Sequence, residues 1–326
     1  MTQACIGNAC VDAVGTPADY VAARGDRDAS LLVDVILPAV RDPTEDCCFD
    51  FTGDGNPDDA LGAYARIIAG FGSTDPQALT TDSVDDGALA TVFDWVALPL
   101  PDGRARVSVF DGTLAGAHTP ADRRAGLGEV TLDEGSFQSP YGAAVQANDA
   151  VIEAGTLRAR LARLLVPVVV FDDPPLLMPA TDVLVELELE ACGDGICTNT
   201  TADVPPVPAA RVGGLVSFPA YVDEVDAVLR TCQCADIDVA VPVLMATLTT
   251  DDGWQVDCNT SNMGDGGASC GAGDPFICTS IDAYCATTGL LESVIDVDTD
   301  ADAWPDAFSV GYRFGLAPVA ITGVTP

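Results

Sequence analysis

Hydrophobic and polar residues alternate with a period of two along much of the chain, a pattern that predicts β-strands. In residues 183–190, valine or leucine occupies every odd position, and glutamate occupies positions 186, 188 and 190. One apolar and one polar face is typical of an antiparallel sheet with one solvated side. Further strands are predicted at residues 31–40, 91–98, 104–110, 156–171, 237–249 and 307–326, and a turn at residues 101–103 joins two of them as a hairpin.

Helical spacing of apolar residues is confined to short segments. Residues 60–71 place Leu61, Tyr64, Ile68 and Phe71 three or four positions apart, and residues 219–229 are compatible with a second short helix. Many strands separated by turns, with few helices, predict a mainly β protein, which we expect to be an antiparallel β-sandwich.

The length of 326 residues suffices for a substantial core. We interpret residues 1–326 as a single β-rich domain stapled by disulfides. Three segments stand out within it: an acidic loop followed by a helix at residues 45–72, a Cys- and Gly-rich loop insertion at residues 257–286, and an acidic loop followed by a strand at residues 296–326.

The acidic loop near the start of the chain has the spacing of a cation-binding loop. Ca²⁺ prefers six to eight oxygen ligands, and a short loop supplies them from positions 1, 3 and 5, from the carbonyl of position 7 and from position 9. Gly55 occupies position 6, where the chain turns. The expected ligands are Asp50, Thr52, Asp54, the carbonyl of Asn56, and Asp58.

A second copy of this spacing lies near the end of the chain. Aligning Asp50 with Asp298 also aligns two further aspartates and a proline. Position 12, which is a bidentate Glu in EF-hands, is Leu61 in one copy and Ser309 in the other, so neither loop is a complete EF-hand. The ligands expected for a second Ca²⁺ are Asp298, Asp300, Asp302, the carbonyl of Trp304, and Asp306.

These motifs carry two resemblances. The loops resemble the short calcium loops of thrombospondin type 3 and dockerin-like modules, which implies bound structural calcium. The motifs CCFDFTGDG at residues 47–55 and DTDADAWPDA at residues 298–307 resemble secreted, cysteine-rich, Asp-rich proteins and lipoproteins of myxobacterial type. That second resemblance covers about a tenth of the chain, implies secretion and indicates no activity.

The charge of the chain is strongly one-sided. It contains no Lys, 14 Arg and 50 acidic residues, 41 of them Asp, with a formal net charge of −36. Such a chain repels nucleic acid and anionic membranes, and its self-repulsion is relieved by divalent ions or salt. We therefore expect no nucleic-acid partner.

Twelve cysteines predict disulfides and an oxidising compartment. Local spacing favours the pairs Cys5–Cys10, Cys192–Cys197, Cys258–Cys270 and Cys278–Cys285, with Cys47 and Cys48 bridging to Cys232 and Cys234. Zinc is the alternative, but the remaining cysteines lack the Cys-x₂₋₄-Cys spacing and the chain has a single histidine, His118.

No apolar run spans a bilayer, and no signal peptide is recognised at Met1. We expect a secreted protein, extracellular or at the cell surface, with a lipid-modified Cys5 as the less favoured alternative.

Catalytic motifs are missing from the sequence: it has no Gly-x-Ser-x-Gly elbow, no zinc-protease motif and no phosphate loop. We expect a calcium-stabilised, non-catalytic surface, matrix or adhesion protein whose partner is an extracellular protein, a glycan or another copy of the chain, with assembly into fibres left open. One alternative is a calcium-dependent carbohydrate-binding module using Trp95, Trp254 and Trp304. The other is a secreted glycoside hydrolase, with Glu134, Glu153 or Glu224 as its acid.

Overall fold

A computed structural model describes residues 3–6, 9–12, 16–37, 47–69, 75–139, 142–168, 176–193, 195–198, 209–249, 253–271, 274, 276–279, 281–300 and 304–326. The strands are β1 (Gln3–Ile6), β2 (Ala9–Asp12), β3 (Ala29–Ile36), β4 (Thr91–Ala97), β5 (Gly103–Ala115), β6 (Gly128–Asp133), β7 (Phe137–Ser139), β8 (Gly142–Ala143), β9 (Val145–Glu153), β10 (Thr156–Val168), β11 (Leu176–Cys192), β12 (Gly195–Thr198), β13 (Ala210–Ser217), β14 (Leu244–Thr249), β15 (Gly253–Cys258) and β16 (Ala307–Thr325).

The α-helices are short. They are α1 (Pro17–Arg24), α2 (Ala60–Ala69), α3 (Pro76–Asp85), α4 (Pro120–Arg124), α5 (Phe218–Leu229), α6 (Phe276–Thr279) and α7 (Ile281–Glu292), and single 3₁₀ turns lie at Glu134–Ser136, Gln233–Ala235 and Thr260–Asn262.

One large, mostly antiparallel sheet dominates the fold. Its strands follow the order β10-β9-β5-β4-β3-β16-β13-β11-β12, and β10 also pairs with β11, so the sheet closes on itself. The main hydrophobic core lies inside this closure and receives side chains from all eight strands of the ring. The mainly β, antiparallel fold with a few short helices and disulfides is thus confirmed.

Strand β6 creates a second, smaller closure. It pairs antiparallel with the end of β5 and parallel with the end of β16, so that β16, β3, β4, β5 and β6 surround a separate core. Strands β3 and β4 contribute to both cores: Leu32 and Phe93 point into the main one, and Leu31 and Val92 into the smaller one. This double burial explains why residues 31–36 are almost continuously apolar instead of alternating.

Strand β16 is the longest element and lies at the centre of the sheet. It pairs with β13 and β3 on its two sides before reaching β6. Phe308, Tyr312 and Phe314 are at most 1% exposed. Burying an apolar side chain of this size contributes about 1.5–3 kcal/mol, so β16 anchors the main core.

Most local predictions are confirmed. The expected hairpin is β4–β5, the helix after the first acidic loop is α2, and the helix expected at residues 219–229 is α5. In β11, the odd-numbered residues from 183 to 189 are buried, as the alternation predicts. The second acidic loop leads into a strand, β16, while the first leads into a helix.

One local prediction is wrong. The strand expected at residues 237–249 begins only at Leu244, because residues 237–243 turn around a buried Asn262 whose side-chain amide donates to the carbonyls of Asp238 and Val241. The segment at residues 257–286 contains α6 and the first half of α7.

Of the six disulfides expected from sequence spacing, the structure confirms one and contradicts four, and Cys5–Cys10 stays a prediction. Cys192–Cys197 is confirmed. The other bridges within the described residues are Cys47–Cys48, Cys232–Cys278, Cys234–Cys270 and Cys258–Cys285, so the four other pairings expected among these cysteines are wrong. Cys5 and Cys10 are register partners in β1 and β2. Cys232–Cys278 and Cys258–Cys285 reach into α6 and α7, and Cys234–Cys270 reaches the loop before α6. Sequence spacing alone does not indicate these pairings.

Within the described residues, the structure contains no helix of the length and apolarity needed to cross a membrane.

Candidate metal centre

The first acidic loop brings three carboxylates together. Oxygen atoms of Asp50, Asp54 and Asp58 all lie within 4.8 Å of one another. These are positions 1, 5 and 9 of the motif, and hard carboxylate oxygens at this separation match the ligand preference of Ca²⁺. Hydrogen bonds within the loop accompany their convergence.

Asp50 organises the turn. Its Oδ1 accepts hydrogen bonds from the amides of Gly53 (2.6 Å) and Asp54 (3.2 Å), and its Oδ2 accepts one from Gly55 (2.8 Å). Gly53 and Gly55 have φ values of +77° and +94°, which explains glycine at both positions. The side chain therefore holds the loop in a conformation that directs the other acidic groups inward.

Asp58 closes the loop at its other end. Its amide donates to the carbonyl of Phe49 (2.8 Å), and its carboxylate accepts from the amides of Phe51 (2.6 Å) and Thr52 (2.8 Å). The Thr52 hydroxyl donates to the same carboxylate (3.3 Å), so this expected ligand lies beside the cluster. The Asn56 amide, in turn, donates to Asp54 Oδ1 (2.8 Å).

The second acidic loop closes in the same way. The amide of Asp306 donates to the carbonyl of Val297 (2.8 Å), as the amide of Asp58 does to Phe49. The Asp306 carboxylate accepts from the amide (2.8 Å) and the hydroxyl (2.7 Å) of Thr299. Two loops of equal spacing therefore share their backbone closure, which independent acidic turns would not be expected to do.

The ligand set of the second loop is only partly described. Asp298 is half-buried and Asp300 is exposed, whereas Asp302 lies outside the described residues. Trp304 packs on Gly253, where an added Cβ would lie 2.8 Å from Trp304 Cε3. In the part of the chain that the structure describes, the second loop does not form a cluster of three carboxylates.

The two loops adjoin through Ser309 at the start of β16. The Ser309 hydroxyl accepts from the amide of Ala60 (2.9 Å), which follows the first loop, and donates to Asp296 Oδ2 (2.5 Å), which precedes the second. Asp296 Oδ1 also accepts from the Ser309 amide (2.8 Å). Position 12 of the second loop is therefore a connector between the two loops, while position 12 of the first, Leu61, is buried in the core.

A buried carboxylate, Asp59, stands behind the first loop. Its Oδ1 caps α2 by accepting from Gly62 (3.0 Å) and also accepts from the amide of Gly311 in β16 (3.0 Å). Its Oδ2 is buried without a hydrogen-bond partner among the described residues. Burial raises the pKa of Asp59 to about 7, and burial likewise raises the pKa of Asp296.

Asp59, Asp296 and Ser309 were not identified from the sequence. The pair Asp58–Asp59 directly before a helix-spaced run is a capping signal for Asp59. Asp296 and Ser309 carry no comparable local signal, because their partners are distant in the chain.

Close backbone packing seats the first loop on the sheet. A Cβ added at Gly311 would lie 2.5 Å from the carbonyl oxygen of Cys47, and one at Gly213 would lie 2.7 Å from Phe49 Cδ2. Glycine at these two positions therefore lets the segment that begins at Cys47 lie flat on β13 and β16.

We expect Gly311→Ala to lower the free energy of unfolding by about 1–3 kcal/mol, because the new methyl group overlaps backbone atoms that cannot rotate away. Urea unfolding midpoints of the variant and the parent measure the effect. Gly135→Ala is the matched control, since its added Cβ would meet no atom within 4 Å. Equal destabilisation by both variants, or by neither, would contradict the role assigned to Gly311.

The structure also places the residues that were considered for carbohydrate binding and for catalysis. Trp95 is 3% exposed and donates from Nε1 to Ser30 (2.9 Å), so it takes no part in a surface platform of three tryptophans, the alternative considered for carbohydrate binding. Glu134, Glu153 and Glu224 do not line any of the three described cavities, of about 610, 260 and 10 Å³. The His118 imidazole lies 3.9 Å from Glu129 at the surface.

Comparisons of the chain with protein-family models, with curated protein sequences and with solved structures gave no match. The fold and the site therefore define the class: a disulfide-bonded, mainly β protein whose sheet carries two adjoining acidic loops. Both loops close through the same backbone hydrogen bond.

Proposed function

We propose that the protein is a secreted, non-catalytic surface, matrix or adhesion protein whose acidic loops bind structural Ca²⁺. The observation that carries the metal assignment is the convergence of Asp50, Asp54 and Asp58 in a loop whose closure recurs at Asp306. Asp50, Thr52, Asp54, Asn56 and Asp58 would hold one ion, and Asp298, Asp300, Asp302, Trp304 and Asp306 a second.

The bound ion would offset local repulsion. Burial, with a smaller contribution from the Asp58 carboxylate, raises the pKa of Asp296, which precedes the second loop. A divalent ion among them neutralises charge that a chain with a net charge of −36 cannot balance with its own cations. Its role would be to keep the two loops seated on β16.

The multiple disulfides are compatible with an extracellular protein. A rigid, stapled β scaffold suits a surface or matrix role, because binding groups on it are held in place without an ordering cost.

Thermal melts of metal-depleted protein, titrated with Ca²⁺ at constant ionic strength, test the metal assignment. At 100 times its dissociation constant, Ca²⁺ is expected to stabilise the fold by about 2.7 kcal/mol, which corresponds to a rise in Tm of about 5 °C. Excess chelator should reverse this rise.

Two variants and a second metal sharpen the test. Asp54→Asn removes one ligand charge and should weaken the Ca²⁺ response at least tenfold in concentration, while Asp26→Asn, an exposed site away from both loops, should leave it unchanged. Equal stabilisation by Mg²⁺ and Ca²⁺ would indicate general charge screening and would refute a specific site.

A further inference from the structure

The outer face of the sheet gathers arginines into one transverse row. Register pairs place Arg104 of β5 beside Val151 of β9, then Arg158 of β10, Glu186 of β11 and Arg211 of β13. Arg106 lies two residues beyond Arg104 on β5, and Arg160 lies two residues beyond Arg158 on β10. We call this set of five arginines the arginine strip.

The strip gathers five of the 14 arginines on a chain that is otherwise strongly negative. Five carboxylates lie near them, those of Asp102, Asp149, Glu153, Glu186 and Glu188. The strip is therefore balanced in charge, in contrast to the net charge of −36 for the whole chain. Its guanidinium groups that are not held in an ion pair can attract an anion and orient it during encounter.

Several of these arginines are available to a ligand. Glu186 binds Arg158 and Arg211, each at 2.8 Å, and holds their guanidinium groups in place. Among the described residues, Arg104 and Arg160 form no ion pair, and both are exposed. Arg158 and Arg211 are therefore held in place, while the guanidinium groups of Arg104 and Arg160 can donate hydrogen bonds to a ligand.

A recess of about 260 Å³ opens beside the strip. It is lined by Phe49, Leu184 and Ala159 on its apolar side and by Asp149, Arg158, Arg160 and Glu186 on its polar side. The Arg211 guanidinium lies 5.5 Å from the centre of the Phe49 ring, and Phe49 is the residue at which the first acidic loop closes. An apolar wall with a few placed charges is the usual composition of a small-ligand site.

We propose that the arginine strip and this recess bind an acidic polysaccharide that carries uronate carboxylates. A sugar ring would place its apolar face on Phe49 and its hydroxyl groups against Asp149, while its carboxylates pair with Arg160 and Arg104. A linear polymer can follow the strip across the strands, a path of about 19 Å for four strand spacings. A folded acidic protein, including a second copy of this chain, would bring its whole negative charge against an acidic surface.

This proposal deepens the adhesive role proposed above by naming the ligand class, and it does not require the acidic loops to bind Ca²⁺. Isothermal titration of the full chain with a short oligouronate tests it, both in Ca²⁺ and in chelator, with a neutral oligosaccharide of the same length as the reference. Binding in both buffers, weakened by salt, is expected for the oligouronate alone.

Variants separate the strip from the rest of the surface. Arg160→Gln is expected to weaken oligouronate binding about tenfold, the usual value of a hydrogen bond to a charged group, and Arg104→Gln combined with it to weaken binding further. Arg124→Gln, a half-exposed arginine paired with Asp34 and Asp85 elsewhere on the surface, should bind like the parent. Equal losses in Arg124→Gln and Arg160→Gln, or no oligouronate binding by the parent, would overturn the proposal.

The aromatic contact separates a glycan from an acidic protein partner. Phe49→Leu should weaken oligouronate binding at least threefold while leaving any binding of polyaspartate unchanged. Polyaspartate bound as tightly as the oligouronate, with no effect of Phe49→Leu, would show that the strip recognises charge alone and would overturn the glycan assignment. If the Tm of the protein does not change with Ca²⁺ but the oligouronate still binds, the metal assignment is refuted and the proposal for the arginine strip stands.

Discussion

Replacement of Asp94 by Ala is expected to lower the free energy of unfolding by about 3–5 kcal/mol, because it leaves two largely buried guanidinium groups without their carboxylate. Asp94 lies on β4 and is 0% exposed. Its carboxylate accepts from Arg24 (3.1 Å) and Arg27 (2.8 Å), whose side chains are 9% and 15% exposed, and from the hydroxyl of Tyr20 (2.5 Å).

The loss is large because all three partners share this carboxylate as an acceptor, and Arg24 keeps only the carbonyl of Arg27. Burial, together with the adjacent Asp94, raises the pKa of Tyr20, so its hydroxyl stays a donor and needs an acceptor. Asp94→Asn retains one acceptor oxygen and loses the charge, so we expect an intermediate loss.

Urea unfolding with an unchanged m-value measures the Asp94 effect as a shift in midpoint. Glu153→Ala is the control, because its ion pair with Arg158 spans 3.6 Å between side chains that are more than half exposed. Exposed pairs contribute little, so this variant should change stability by less than about 1 kcal/mol. A loss below that value in Asp94→Ala as well would contradict the buried-triad interpretation.

The double substitution Cys232→Ser with Cys278→Ser is expected to cost about 4 kcal/mol. The bridge closes a loop with a sequence separation of 46 residues, and the chain-entropy model assigns this loop size a stabilisation of about that magnitude. It also connects the end of α5 to α6, so its removal frees the helices that cover one side of the main core.

The bridge Cys192–Cys197 supplies the comparison, because its sequence separation is only 5 residues. The same model assigns it about 2 kcal/mol. Urea midpoints of the two double variants should therefore differ by about 2 kcal/mol, and peptide mapping of the parent should recover Cys232 linked to Cys278. Mapping that recovered Cys278 linked to Cys285 would show the pairing to be wrong.

The geometry of the first acidic loop was accessible from the sequence because it is local. A carboxylate at position 1 caps amides three to five residues later, and glycine supplies the positive φ, so spacing alone determines which groups converge. The helix α2 and the hairpin β4–β5 were accessible for the same reason: their periodicity lies within a dozen residues.

Cysteine pairing was not accessible in the same way. Cys258 and Cys270 are nearer in sequence than Cys258 and Cys285, yet the second pair is bonded, because α7 packs against β15 and brings Cys285 into reach. Sequence separation measures the entropy of closing a loop and not the direction in which two side chains point.

By itself, the sequence determined the strand-rich class of this protein, its turn chemistry and the composition of its two acidic loops, because each depends on residues that are neighbours in the chain. The tertiary structure alone decided that β16 joins both loops through Ser309, that β3 is buried on two faces, and that Arg104, Arg158 and Arg211 of three different strands form one row. These features depend on strand order and register, which are set by long-range pairing around the two cores and leave no periodic signal in any single segment.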